Sequence, residues 1–434
     1  MNQTTCRKTY KEKLRPMPAQ EWALDAVLWH CRDLYNTVLE QRSTAWQCYH
    51  LSVSRFEQEA ELKAIRAEFP EYAAIHSHAL HDELARLDKT YQACFRRVQR
   101  GEQAGFPRFK GRNRYHSFTY KQFGDGATLD NGFLVLSKIG RIAVHWSRPT
   151  EGTPKTVTIS REAGGWYACF SCTDVPTRPL PPTGQETGID LGLESFATLA
   201  DGTCILAPGC YRKAERYLAQ CQRRLAERKL GGHRRRKAAC WQAKAHQTVR
   251  RQRQDFHHKT ALSLVRQYDV IHHGELQVAN MVRNHHLAKS ISDAGWSAFL
   301  AILAFKAASA GRQVLAVDPA FTSQTCSGCG VLVQKGLFVR WHACPECGTS
   351  LHRDHNAAKN IQWRGQRLRG LAGVPAGMYR ELVGLLAPAE CPSDQQCKSA
   401  KPITQFASRR LGANIFVNQL TAHTEFGWVL VGRR

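Results

Sequence analysis

TGIDLGLESFATLADGT, running from Thr187 to Thr203, is the stretch from which the rest of the chain is read. Its alternation describes a β-hairpin, with Asp201-Gly202 supplying turn chemistry after the second strand. Side chains alternate along a strand, so Gly188, Asp190 and Gly192 share one face and Asp190 stands in cleared space. Glycine weakens a strand unless some other group must approach closely, and a divalent ion with a phosphodiester is the expected visitor.

Downstream the pattern is α/β: a long basic helical pair, a buried-looking strand, another helix and another strand. Tyr211, Ala214, Leu218, Cys221 and Leu225 keep a coiled-coil-like spacing, and Gly231-Gly232 breaks that helix into a second one. Between Tyr211 and Lys259 there are 16 Lys and Arg against three acids, too lopsided for a neutral solvated face. The helical hairpin is therefore expected to track a nucleic acid. Farther on, LHRDHNAAKNI sets Asp354 just before a short helix carrying Asn356, Ala357, Ala358 and Asn360. Asp354 fits two roles, a helix N-cap or a second carboxylate paired with Asp190. The paired role suits Mg2+, which takes carboxylate oxygens and retained waters; two such ions stabilise both attacking and leaving oxygens in phosphodiester hydrolysis.

Between these acids lie Cys326-x-x-Cys329 and Cys344-x-x-Cys347, each pair followed by a glycine, Gly330 and Gly348, that allows the tight turn. This two-knuckle spacing predicts a structural Zn2+ held by four thiolates with no open position. Cys169-x-x-Cys172 has the same local spacing but no second pair, and reads as strand packing. Most of the sixteen cysteines stand singly in a long chain whose N-terminus has no signal-like apolar core, which points to a reducing cytoplasm.

The whole chain has 434 residues, more than one core supports, and 61 Lys and Arg against 36 Asp and Glu give a formal charge of +25. A polyanion is the default partner. No run of eighteen apolar residues is present, so nucleic acid is expected rather than a membrane, with no small-molecule substrate. Residues 5–15 read as a basic strand. Residues 19–104 read as helical, with core stripes at Ala23, Leu24, Val27, Leu28, Cys31, Leu34, Tyr35 and at Leu80, Leu84, Leu87, Tyr91, Phe95. GFPRFKGRNRYHSFTY, Gly105 to Tyr120, opens short β-runs that reach about Val175. Its Phe106, Phe109, Tyr115, Phe118 and Tyr120 suit either stacking on bases or filling a β-core. Pro176 to Pro182 reads as a linker, and the segment from 369 as a poorly ordered tail.

The order GIDLGLESFATLADG, RRQRQDFHHKTALSLVRQYDVI, LQVANM, DPAFTSQTCSGCG, WHACPECG and HRDHNAAKNI resembles the TnpB (OrfB) family of insertion sequences, relatives of type V CRISPR nucleases. GFPRFK and the Pro16, Gln20 start of the first helix resemble it too. The resemblance implies an RNase H-like RuvC domain at 184–321 and 351–368, with a zinc ribbon inserted at 322–350. It implies a wedge-like β-barrel at 1–15 and 105–183, interrupted by a helical recognition lobe at 16–104, and leaves 369–434 as the tail. The implied activity is that of an RNA-guided endonuclease encoded by a transposable element. It would be cytoplasmic and nucleoid-associated, with partners a guide RNA from the element and a double-stranded DNA target beside a short adjacent motif.

Three carboxylates would hold the catalytic Mg2+, and two of them, Asp190 and Asp354, match the family's pattern. The third does not. Family members place Glu where this chain has Gly274, and Glu275 follows one residue later. A regular strand points Glu275 away from the metals, which implies a weakened or nuclease-dead, repressor-like DNA-binding protein; a bulge at Gly274 would return it as a ligand. His352 stands where the family commonly has an acid.

Overall fold

A computed structural model of the chain describes residues 5–371 apart from 337. The expected tail therefore lies outside the described residues, except that 369–371 continue the last helix.

The first strand, β1 (Thr5–Arg15), alternates as its sequence predicts, turning Tyr10, Glu12 and Leu14 inward. Buried Glu12 is satisfied by the N–H and hydroxyl of Ser147, at 2.9 and 2.8 Å. Four helices follow: α1 (Pro18–Tyr49), α2 (Arg55–Glu68), the single turn α3 (Pro70–Ala73) and α4 (Ser77–Gln99). Proline at the first turn of α1 and a Ser54/Glu57 capping box on α2 explain where these two begin. The predicted stripes meet between α1 and α4, with one correction. Ala23 and Tyr91 are only half-buried and Phe95 is exposed, because Ala23 flanks the stripe that buries Leu24 and, near the end of α4, Cys94 is the buried residue in place of Phe95.

Six more strands complete an antiparallel, nearly closed barrel: β2 (Ser117–Tyr120), β3 (Ala127–Asp130), β4 (Phe133–Leu136), β5 (Gly140–His145), β6 (Thr153–Glu162) and β7 (Gly165–Pro176). Their order is β2-β6-β7-β1-β5-β4-β3. Tyr115, Phe118 and Tyr120 fill the core that the barrel shares with the helices, whereas Phe106 and Phe109 are exposed. Arg86 of α4 ties the two parts together, donating to Ser117 O at 2.6 Å and Thr119 Oγ1 at 2.9 Å.

A second sheet follows the linker. It begins with β8 (Glu186–Asp190), β9 (Ser195–Leu199) and β10 (Cys204–Leu206), and continues through the basic hairpin α5 (Cys210–Ala226) and α6 (His233–Gln267) to β11 (Val270–Gly274). Short α7 (Val278–Met281) and α8 (Ala288–Ala294) and longer α9 (Trp296–Ser309) lead to β12 (Gln313–Val317). The strand order is β10-β9-β8-β11-β12, antiparallel across the first three and parallel across β8, β11 and β12. Parallel neighbours need long crossovers, and the helices supply them. Ile189 and Ile271 pack with Leu264 of α6 and with Trp296, Phe299 and Leu303 of α9. The segment Ala288–Ser309 is long and apolar enough to cross a membrane, but its large residues Trp296, Phe299 and Leu303 are buried in this core.

The basic hairpin has two kinds of cation. Arg250 pairs with Glu162, Arg251 donates to Tyr167 Oη at 2.6 Å and Arg253 to Ser292 O at 2.7 Å, so these three fasten α6 to its neighbours. Arg234, Arg236, Lys237 and Lys244 are exposed. The chain then forms the small hairpin β13 (Trp341–Ala343) and β14 (Ser350–His352), followed by α10 (Arg353–Leu371).

Candidate functional site

Helix α10 covers the face of the second sheet opposite α6 and α9. A Cβ on Gly188 would sit 2.1 Å from Ala358 O and 2.5 Å from Gln362 N. The cleared space beside Asp190 is therefore filled in part by a helix, which corrects the expectation that both glycines make room for an ion and a phosphodiester. Gly192 does face Asp354, since a Cβ there would lie 3.7 Å from Asp354 Oδ2, although it would also press on Ser195 O at 3.1 Å. The helix is longer than the short one expected, and Asp354 sits inside its first turn rather than before it.

Asp190 ends β8 and Asp354 reaches the same edge from α10, at the carboxyl ends of the parallel strands where open α/β sheets bind ligands. Removal from water and then the charge of Asp354 push the Asp190 carboxyl up to about 7, while Arg353 pulls it down. An acid whose ionisation is opposed by a neighbouring carboxylate in this way suits a shared cation.

Gly274 belongs to the same face. The parallel ladder pairs His272 with Gly188 and His273 with Ile189, so one further step sets Gly274 beside Asp190. On the other side β11 pairs with β12 in unbroken register through Gly274 and Val317, and Glu275 N donates to Val317 O at 2.8 Å. No bulge interrupts the strand at Gly274. Alternation sends the exposed Glu275 to the opposite side.

Two groups of metal-ligating side chains bring their ligand atoms within 4.8 Å of one another among the described residues. One is Glu194, His352 and Asp354; neither Glu275 nor Asp190 joins it. Glu194 lies in the β8–β9 turn and is ion-paired with Arg340 at 3.4 Å. Sequence reasoning passed over it, although its position four residues after Asp190, just after Gly192, was the available signal.

The other group is Cys326, Cys329, Cys344 and Cys347. Cys326 Sγ lies 3.6 Å from Cys347 Sγ, and Cys329 Sγ lies 3.5 Å from Cys344 Sγ. Bonds of about 2.3 Å give a tetrahedral edge of about 3.8 Å, so four thiolates at this spacing fit Zn2+. Hydrogen bonds from Thr349 draw the Cys347 thiol down to about 6, toward the thiolate a metal requires. The site is tied to α10. Asn356 Oδ1 accepts from Ser327 N at 2.9 Å, its Nδ2 donates to Thr325 O at 2.6 Å, and Asn360 Nδ2 donates to Thr322 O and Thr325 O at 2.8 and 2.7 Å.

The arrangement has relatives. A protein of Streptomyces pristinaespiralis is 33% identical over 366 residues, covering 82% of this chain and 88% of its own length. The chain belongs to the TnpB (OrfB) family. An Escherichia coli (strain K12) TnpB relative is 28% identical over 378 residues, with 82% and 91% covered; both carry the name "Putative RNA-guided DNA endonuclease", the second with the addition InsQ. Residues 170–285 match the family model described as "Probable transposase", and residues 296–361 the one described as "Cas12f1-like, TNB domain". Among solved structures, a mini-RNA-guided endonuclease, CRISPR-Cas_phi3, is similar to this TnpB-family chain over 82% of its residues and 92% of its own, at 11% identity and a TM-score of 0.44.

Proposed function

We propose that this TnpB-family protein is an RNA-guided DNA endonuclease acting through an RNase H-like, RuvC-type domain, with Asp190 and Asp354 as its Mg2+ ligands. The single observation that carries this reading is the convergence of those two carboxylates, 164 positions apart, at the carboxyl ends of the parallel strands. A divalent ion held there supplies charge stabilisation to a scissile phosphate. The chain's own contribution is to hold two acids in a partly desolvated edge. Exposed Arg234, Arg236, Lys237 and Lys244 offer phosphate contacts for a guide RNA and its DNA target. Exposed Phe106 and Phe109 offer stacking faces.

In this reading the four cysteines form a structural zinc ribbon, the barrel and α1 to α4 are the wedge and recognition lobes, and the protein works in the cytoplasm on the nucleoid. A second reading, a guided DNA-binding protein with weakened cleavage, is favoured by one specific observation: glycine stands at position 274, beside Asp190, and Glu275 turns away.

Co-expression with the transcript flanking its gene, sequencing of the RNA that copurifies, and plasmid cleavage with Mg2+ test both. Guided cleavage lost in Asp190→Ala establishes the nuclease. Guided binding without cleavage, restored by Gly274→Glu, establishes the second reading, and failure to recover a specific RNA overturns both.

A further inference from the structure

The geometry points to a transition-metal site formed by Glu194, His352 and Asp354. This rests on Asp354 being a metal ligand, as proposed above, and assigns its partners and the class of ion. The three donors come from separate elements, the β8–β9 turn, the end of β14 and the first turn of α10, and all lie within 4.8 Å of one another.

His352 Nδ1 is 4.0 Å from Asp354 Oδ2, wider than the roughly 3 Å between adjacent ligands bonded at about 2.1 Å, so a small side-chain rotation brings both onto one ion. Nδ1 also accepts the Asp354 backbone N–H at 3.3 Å, so it carries a lone pair rather than a proton. That long hydrogen bond is the one an ion displaces. The cations around the cluster are Arg340, paired with Glu194 at 3.4 Å, and Arg353, next to Asp354 in the chain; a divalent ion competes with Arg340 for Glu194.

Donor chemistry selects the ion. Two carboxylates and water alone suit Mg2+, whereas an imidazole nitrogen shifts preference toward first-row transition ions. The site should therefore hold Mn2+ in the presence of Mg2+.

The test uses the full-length chain carrying one zinc, at its four cysteines, without nucleic acid, titrated with Mn2+ under excess Mg2+ and followed by electron paramagnetic resonance. One Mn2+ site with nitrogen coupling from a single imidazole is expected. His352→Ala should abolish the coupling and weaken binding at least tenfold, and Glu194→Gln should weaken binding while leaving the coupling. His352→Asp should retain the ion but lose its advantage over Mg2+. Mn2+ binding unchanged in His352→Ala and Glu194→Gln, or a bound ion with no nitrogen coupling, overturns the proposal. Loss of guided cleavage with the coupling intact supports this site and counts against the nuclease reading alone. Mg2+-driven cleavage with no coupling counts against this site alone.

Discussion

Asn356 accepts the backbone N–H of Ser327 at 2.9 Å, and this contact joins the helix bearing Asp354 to the first cysteine knuckle. The same amide donates to Thr325 O, so one buried side chain satisfies a donor and an acceptor of the neighbouring loop. Asn356→Ala leaves Ser327 N–H without this partner and should cost about 1–3 kcal/mol. Thermal unfolding measures the cost, and a cleavage rate that falls further than the lost folded fraction would show that Asp354 has moved as well.

Metal content is a separate check on the same region. One zinc per chain is expected by elemental analysis, and Cys344→Ser should lower it. Because structural zinc sites contribute their binding energy to folding, chelation should expose 322–350 to protease before the rest of the chain.

Gly188→Ala tests the packing of α10 on the sheet. The added methyl meets backbone atoms at 2.1 and 2.5 Å, and backbone cannot rotate out of the way. Overpacking of this kind costs about 3 kcal/mol. A melting temperature equal to wild type would show that the helix does not lie where it is described.

Gly274→Glu is the milder change. Its Cβ meets Pro319 Cβ at 3.1 Å and Ile361 Cδ1 at 3.9 Å, so neighbours shift by a few tenths of an ångström and stability should fall by about 1 kcal/mol. With a carboxylate delivered beside Asp190, Mg2+-dependent cleavage should rise at least tenfold over wild type.

A pH test probes the other half of the molecule. Glu83 is fully buried on α4, and desolvation raises its carboxyl to about 8 although Arg86 Nη1 lies 3.3 Å away. The folded state then holds a proton that the unfolded chain has released, so stability falls as pH rises from about 4 to about 8. Glu83→Gln carries no such proton and should flatten that part of the profile, while Arg86 keeps Asp82 at 2.7 Å. Parallel profiles for the two proteins would refute the assignment.

The readable parts of the sequence were those governed by local rules. The four cysteines, the Asp201-Gly202 turn and the Gly231-Gly232 break follow from spacing and backbone chemistry, and the structure forms each of them. Gly188 misled because a strand's periodicity tells which face a residue occupies and not what covers that face; here it is α10, 170 residues later. Glu194 and the structural use of Arg250, Arg251 and Arg253 were hidden for the same reason, since each depends on a partner from a distant element. The slip from Gly274 to Glu275 was visible as a one-residue offset, but only the paired strands on both sides fix its direction.

The position of α10 also has a consequence for biosynthesis. The sheet surface at Gly188 and His272 is roofed only when residues 353–371 have left the ribosome, so every shorter product carries an unsealed groove. Premature termination should therefore yield incompletely packed, quickly degraded fragments rather than partly working proteins, an outcome set by the order of translation itself.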